Sequence, residues 1–258
     1  VKQTPDSGYI VISLEAYFSN RGITLTHLSP LGNVSWAKIY TKPFGINYMP
    51  QGLTITQTGI VSLMRIDSSV ILMKTDFAGN ILWSKSFNTG NEGGFSTNFE
   101  RTLLHSTSDN GFIFNTISGT RDMIIKVDSV GNCQWSDTVL LITKEVIETK
   151  DRGYLVLGRG QPLNVFTPAQ VGIIKTDSLG LGTSCVNSFP ISFTNDSLVA
   201  TPITILVTSG GTQQSFNPPV TPLIVNVDTG CVNLLTDSNQ TIDEYKNQIT
   251  INFYPNPT

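Results

Sequence analysis

Only two histidines, the side chain most often used as a general acid or base, occur in the 258 residues, His27 and His105. Neither stands in a zinc-ligand spacing, and no Asp-rich calcium loop occurs. His105 falls in a predicted strand with no His, Cys or carboxylate pattern around it, so nothing there builds a general base. His27 takes a position that Lys74, Lys126 and Lys175 hold in similar segments, which makes it a strand side chain beside a hairpin. Those lysines could line a basic surface. The expected arrangement is instead a pair with Asp76, Asp128 and Asp177, two residues on and so on the same strand face. Trp36, Trp83 and Trp135 could stack on sugars, but they recur in one register, which predicts packing between repeats. The glycine-rich run 88–94 lacks the Lys-Ser/Thr ending of a phosphate loop. Scattered carboxylates, Glu92, Glu100 and Glu145, are what an enzyme built on this chain would have to draw on. No catalytic, cofactor-binding or metal-binding set emerges.

The elements that carry these residues are set by composition. Charged residues are 14% of the chain, and small polar residues replace them: 31 Thr, 24 Ser, 20 Asn and 22 Gly. Thr favours strands, while Gly, Asn and Ser favour turns, so the chain reads as all-β. A net charge of −3 gives no electrostatic footprint for nucleic acid. No apolar run reaches the length of about 18 residues that spans a membrane.

Four stretches align: 25–38, 72–85, 124–137 and 173–186. Their turn glycines, Gly32, Gly79, Gly131 and Gly180, are 47, 52 and 49 residues apart. A basic residue, an Asp or Ser (Ser29, Asp76, Asp128, Asp177), the Gly and a Trp recur; the fourth copy lacks the Trp. A second turn precedes each, around Gly8, Gly59, Gly111 and Gly153. Each unit therefore reads as four short strands. Four strands repeated every 40–50 residues or so is the pattern of a β-propeller blade, and such sheets must stack to bury their faces. A β-solenoid is the alternative, but its coils are shorter. Val1 falls inside what should be a first strand, so further repeats are expected upstream.

At these residues the chain resembles two things. The Asp–turn–Gly–x3–Trp hairpin, as in Asp76–Gly79–Trp83, is similar to the repeat of quinoprotein-type propellers, although the Asp-to-Gly spacing is one shorter and no cofactor set is visible. More closely, the run from Gly8 to Lys85 resembles propeller repeats of large secreted Bacteroidetes proteins, and that likeness covers residues 1 to about 190. At the other end, Ile251–Thr258 resembles the opening of the type A C-terminal sorting domain of the type IX secretion system, with Tyr254, Pro255, Asn256 and Pro257 as its core. Only the first strand of that domain is present. Asp128-Ser129-Val130, Asp137-Thr138-Val139, Asp177-Ser178-Leu179 and Asp196-Ser197-Leu198 resemble the acceptor motif of Bacteroidetes O-glycosylation.

These resemblances imply a secreted or outer-membrane-surface protein. An exported chain meets an oxidising compartment, which makes Cys185–Cys231 the expected bridge and leaves Cys133 over. Expected organisation is repeats over 1–189, an irregular last unit or β-rich stalk over 190–235, a polar linker over 236–248 and the sorting strand over 249–258. The function expected is a non-enzymatic binding scaffold for a glycan or protein, handed over by the type IX machinery. The alternative is an accessory region of a secreted hydrolase whose catalytic module lies elsewhere.

Overall fold

Each repeat folds as an antiparallel meander, because its short apolar runs are separated by turns that few residue types can make. The computed structural model describes residues 1–15, 22–43, 48–67, 69–89, 104–118, 121–160, 171–182 and 186–205. The first repeat supplies β1 (Lys2–Gln3), β2 (Tyr9–Glu15), β3 (Gly22–Leu28) and β4 (Val34–Thr41). The second supplies β5 (Tyr48–Thr56), β6 (Gly59–Ile66), β7 (Ser69–Thr75) and β8 (Ile81–Asn88). The third gives β9 (Leu104–Ser106), β10 (Phe112–Ser118), β11 (Arg121–Val127) and β12 (Cys133–Val139). The fourth gives three strands, β13 (Leu141–Glu148), β14 (Tyr154–Gly160) and β15 (Val171–Thr176). Each repeat is one sheet, with its strands in chain order, and all regular structure among the described residues is strand.

Side chains alternate across a strand, so a sheet packed on both faces needs apolar residues at odd and even positions alike. The second sheet shows this. Ile60, Met64, Ile71 and Met73 join a core with Ile10, Ile23, Leu25 and Tyr40 of the first sheet. Val61, Leu63, Val70 and Leu72 join a second core with Phe112, Phe114, Ile125 and Val127 of the third. Ile113 and Ile124 then meet Val146, Tyr154, Val156 and Ile174 of the fourth. The sheets are therefore stacked face to face in chain order, with one apolar core at each junction.

After the fourth repeat the chain doubles back. Residues 186–202 add a fifth, antiparallel strand to three sheets in reverse order: β16 (Val186–Ser188) on β12, β17 (Ser192–Asn195) on β8 and β18 (Val199–Pro202) on β4. This covers edges that would otherwise present unpaired backbone groups. The strap is fastened by a Lys42–Asp196 ion pair of 2.9 Å, by Ser84 Oγ donating to the Asp196 carbonyl at 2.8 Å, and by Phe193 stacked on Phe87 at 5.9 Å.

Candidate functional site

Two turn types hold the residues singled out in the sequence. In the hairpins 29–33, 76–80, 128–132 and 177–181, the first residue's amide donates to the carbonyl of the fifth, and the glycine amide donates back. Gly32, Gly79, Gly131 and Gly180 all take the left-handed conformation, with φ between 75° and 83°. A bulge follows in three of them, at His27/Leu28, Lys74/Thr75 and Lys126/Val127. This is a tight turn closed by a glycine bulge. Asp128 accepts from the amides of Val130 (3.0 Å) and Asn132 (2.8 Å), and Asp177 from those of Leu179 (2.8 Å) and Leu181 (2.9 Å). Asp76 accepts from both the amide and the side-chain nitrogen of Asn80, each at 2.8 Å.

These aspartates are therefore spent on their own turns, which corrects the expected pairing for two of the lysines. The cations reach the other turn of the repeat. Lys126 Nζ lies 2.7 Å from Asp109 Oδ2, Lys175 Nζ 2.9 Å from Asp151 Oδ2, and His27 Nε2 3.3 Å from Asp6 Oδ2. In those turns the aspartate also accepts from a preceding threonine hydroxyl and a following glycine amide: Thr4 and Gly8, Thr107 and Gly111, Thr149 and Gly153. Proximity along one strand face misleads here because the hairpin aspartate has already entered the turn, where two or three donors compete for it. Lys126 is almost wholly buried and also donates to the Val127 carbonyl at 2.9 Å and to Gln134 Oε1 at 2.8 Å. Burial pushes the Asp109 carboxyl up, but the hydrogen bonds from Lys126, Thr107 and Gly111 outweigh it and hold it below the usual range.

Each tryptophan crosses to the next repeat, as its register predicts. A Cβ built on Gly79 would lie 2.8 Å from Trp36, on Gly131 2.7 Å from Trp83, and on Gly180 2.8 Å from Trp135. The indole thus rests on a turn where only glycine leaves room. Trp36 Nε1 donates to the Phe77 carbonyl at 3.1 Å, Trp83 packs on Phe112 at 6.2 Å, and Trp135 on Tyr154 at 5.2 Å. Two residues after the first two tryptophans a lysine follows the same path. Lys38 Nζ donates to Asn80 Oδ1 at 2.8 Å and Lys85 Nζ to Asn132 Oδ1 at 3.0 Å. The third junction breaks the rule, for Asp137 takes the lysine's place. Its carboxylate is buried over Gly180, Oδ2 has no hydrogen-bond partner, and burial together with Asp177 pushes its pKa up to about 6.

His105 does have a carboxylate neighbour, which local sequence could not show. Its Nε2 lies 2.5 Å from Glu145 Oε1, joining β9 to β13 across forty residues. Ser108 strengthens the same junction, its amide and hydroxyl donating to Glu148 at 2.6 and 2.7 Å. An imidazole held by a carboxylate is half of an acid–base couple; in this setting it ties two sheets together. Among the described residues no group of three or more His, Cys, Asp or Glu side chains is arranged to hold a metal. Thr138 is buried in β12, so Asp137-Thr138-Val139 presents no accessible acceptor hydroxyl, whereas Ser129, Ser178 and Ser197 are exposed. Cys133 is a free thiol. Cys185, Cys231, Glu92, Glu100 and the Tyr254-Pro255-Asn256-Pro257 segment lie outside the described residues. Comparison with protein families, curated proteins and solved structures finds no significant match to this chain.

Proposed function

We propose that the four stacked sheets are blades of a β-propeller, and that the chain is a secreted or cell-surface binding scaffold rather than an enzyme. One observation carries this reading: among the described residues, the side chains that the sequence singles out for chemistry join sheets and close turns. Trp36, Trp83 and Trp135 seat on the next sheet's glycine, and Lys126, Lys175 and His27 are paired with turn aspartates. Three cores between successive sheets, each with the same kind of junction, suit sheets arranged around a common axis. The ligand class is a glycan or a protein. Export by the type IX machinery is part of the same proposal and rests on the likeness of Ile251–Thr258 to the start of a sorting domain.

The test is an array of glycans and surface proteins probed with the 258-residue chain, with hydrolysis of the same glycans followed in parallel. Saturable binding that survives His105→Ala and Glu145→Gln, without product, is the expected result. Product formation that disappears in Glu145→Gln overturns the non-enzymatic reading.

A further inference from the structure

The third junction inverts the charge of the first two. In those, the ammonium of Lys38 or Lys85 reaches the next turn and donates to Asn80 or Asn132. The side-chain nitrogen of that asparagine in turn donates to Oδ2 of Asp76 at 2.8 Å or of Asp128 at 3.0 Å. Cation, amide and carboxylate form one chain, and the charges balance. At the third junction Asp137 stands at the lysine's position and Leu181 at the asparagine's. The amides of Leu179 and Leu181 both donate to Oδ1 of Asp177, and leucine has no side-chain amide for the second oxygen. Asp137 is 4% exposed, and among the described residues its Oδ2 has no hydrogen-bond partner. That oxygen lies 2.5 Å from where a Cβ on Gly180 would stand. Gly180 belongs to the turn that Asp177 opens, its amide donating to the Asp177 carbonyl at 3.2 Å. Asp177 itself is exposed. Two carboxylates therefore meet at one corner, one sealed in and one open to solvent, where the sister corners hold a cation. Burial and the Asp177 charge together hold the Asp137 carboxyl up at about 6.

We infer that the corner formed by Asp137 and Asp177 is a calcium site. A buried charge is ordinarily paired or coordinates a metal, and here an acid has replaced the ammonium that pairs elsewhere. Two carboxylates are an all-oxygen donor set, which selects a hard divalent ion and lets backbone carbonyls and water complete a flexible shell. Their two negative charges match the two positive charges of the ion. The ion enters from the exposed Asp177 side and takes over the task of the lysines, fastening the fourth sheet to the third as Lys38 and Lys85 fasten the earlier junctions. With only two charged ligands the dissociation constant should be on the order of 10⁻⁴–10⁻³ M, the range of calcium modules outside the cell. The site rests on neither export nor glycan binding, and failure of either leaves it standing.

Terbium is the probe, because it occupies calcium sites and emits when a nearby indole absorbs. Trp135 supplies that indole, since its Cε3 lies 2.8 Å from the same Gly180 Cβ position. Titrated into the 258-residue chain at neutral pH, terbium should give saturable emission that millimolar calcium displaces. Asp137→Asn and Asp177→Asn, both of the parent's shape, should each abolish it, whereas Asp128→Asn at the second junction should leave it as it is. Trp135→Phe should silence the emission and keep the rise in melting temperature that calcium gives the parent. Asp137→Asn should lose that rise. Absence of emission at millimolar terbium, the result for a corner that only shares a proton, overturns the proposal. So does emission that survives Asp137→Asn.

Discussion

Gly32 and Gly131 offer an internal control for the junction, because they share a turn, a sign of φ and nearly its value (+83° and +82°) but not a neighbour. Gly32→Ala should incur only the left-handed backbone cost, roughly 1–2 kcal/mol. Gly131→Ala incurs that cost and a collision as well: the new methyl would stand 2.7 Å from Trp83 Cζ3 and 2.9 Å from Lys85 Cγ. The indole cannot yield freely, since it is wedged against Phe112. Overpacking of this kind costs about 1–3 kcal/mol more. Trp83→Ala alone removes a half-buried indole. With on the order of 100–150 Å² of apolar area at about 25 cal/mol per Å², the loss is about 3 kcal/mol. In the Trp83→Ala background the collision with the indole is gone and only the flexible Lys85 side chain has to shift, so Gly131→Ala should fall close to the cost of Gly32→Ala. That is a coupling of about 1–3 kcal/mol in the double-mutant cycle. Urea unfolding followed by circular dichroism reads all five proteins. Equal costs for the two glycine substitutions, or an excess for Gly131→Ala that persists without Trp83, would refute the interlock.

Asp137→Asn should stabilise the chain at pH 7 by about 1–3 kcal/mol, since it removes a buried charge facing Asp177. The folded pKa of about 6 lies above the ordinary 3.8, so the folded state holds its proton more tightly; parent stability therefore falls as pH rises from about 4 to about 6, and the variant should lack that fall. Lys126→Met should cost about 1–2 kcal/mol in denaturant melts by removing its bonds to Asp109, Gln134 and the Val127 carbonyl. Asp109 is held low in the folded state, so its contribution is present above the unfolded pKa and lost as pH falls; the variant's stability should depend less on acid pH than the parent's. Ending the chain before Val186 uncovers the edges of β4, β8 and β12 and should produce concentration-dependent association by size-exclusion chromatography.

The meander rhythm is legible in the sequence because glycine at +φ and alternating apolar residues leave few other solutions for 25–38, 72–85 and 124–137. Trp83 and Trp135 are legible too, through their fixed distance from the turn glycine. The cation partners are not. Lys126 finds Asp109, seventeen residues away in sequence, through strand pairing that places Ile113 opposite Lys126, whereas Asp128 is nearer but already engaged. His105 and Glu145 meet only because two sheets stack, a relation without local periodicity. The strap is the least legible element. Its strands are three or four residues long, and their partners lie from about 50 to about 160 residues upstream, where register is set by the edges already formed rather than by the strap's own pattern.

Export is the part of the proposed function most directly exposed to a single measurement. The full-length protein and a version interrupted before Tyr254 are expressed in a type IX-competent host, and the fraction reaching the surface or medium is compared with that in the periplasm. The proposed role predicts that the intact protein leaves the cell and that the interrupted one stays in the periplasm with its repeat sheets folded, as judged by protease resistance. Equal export of the two proteins would contradict it.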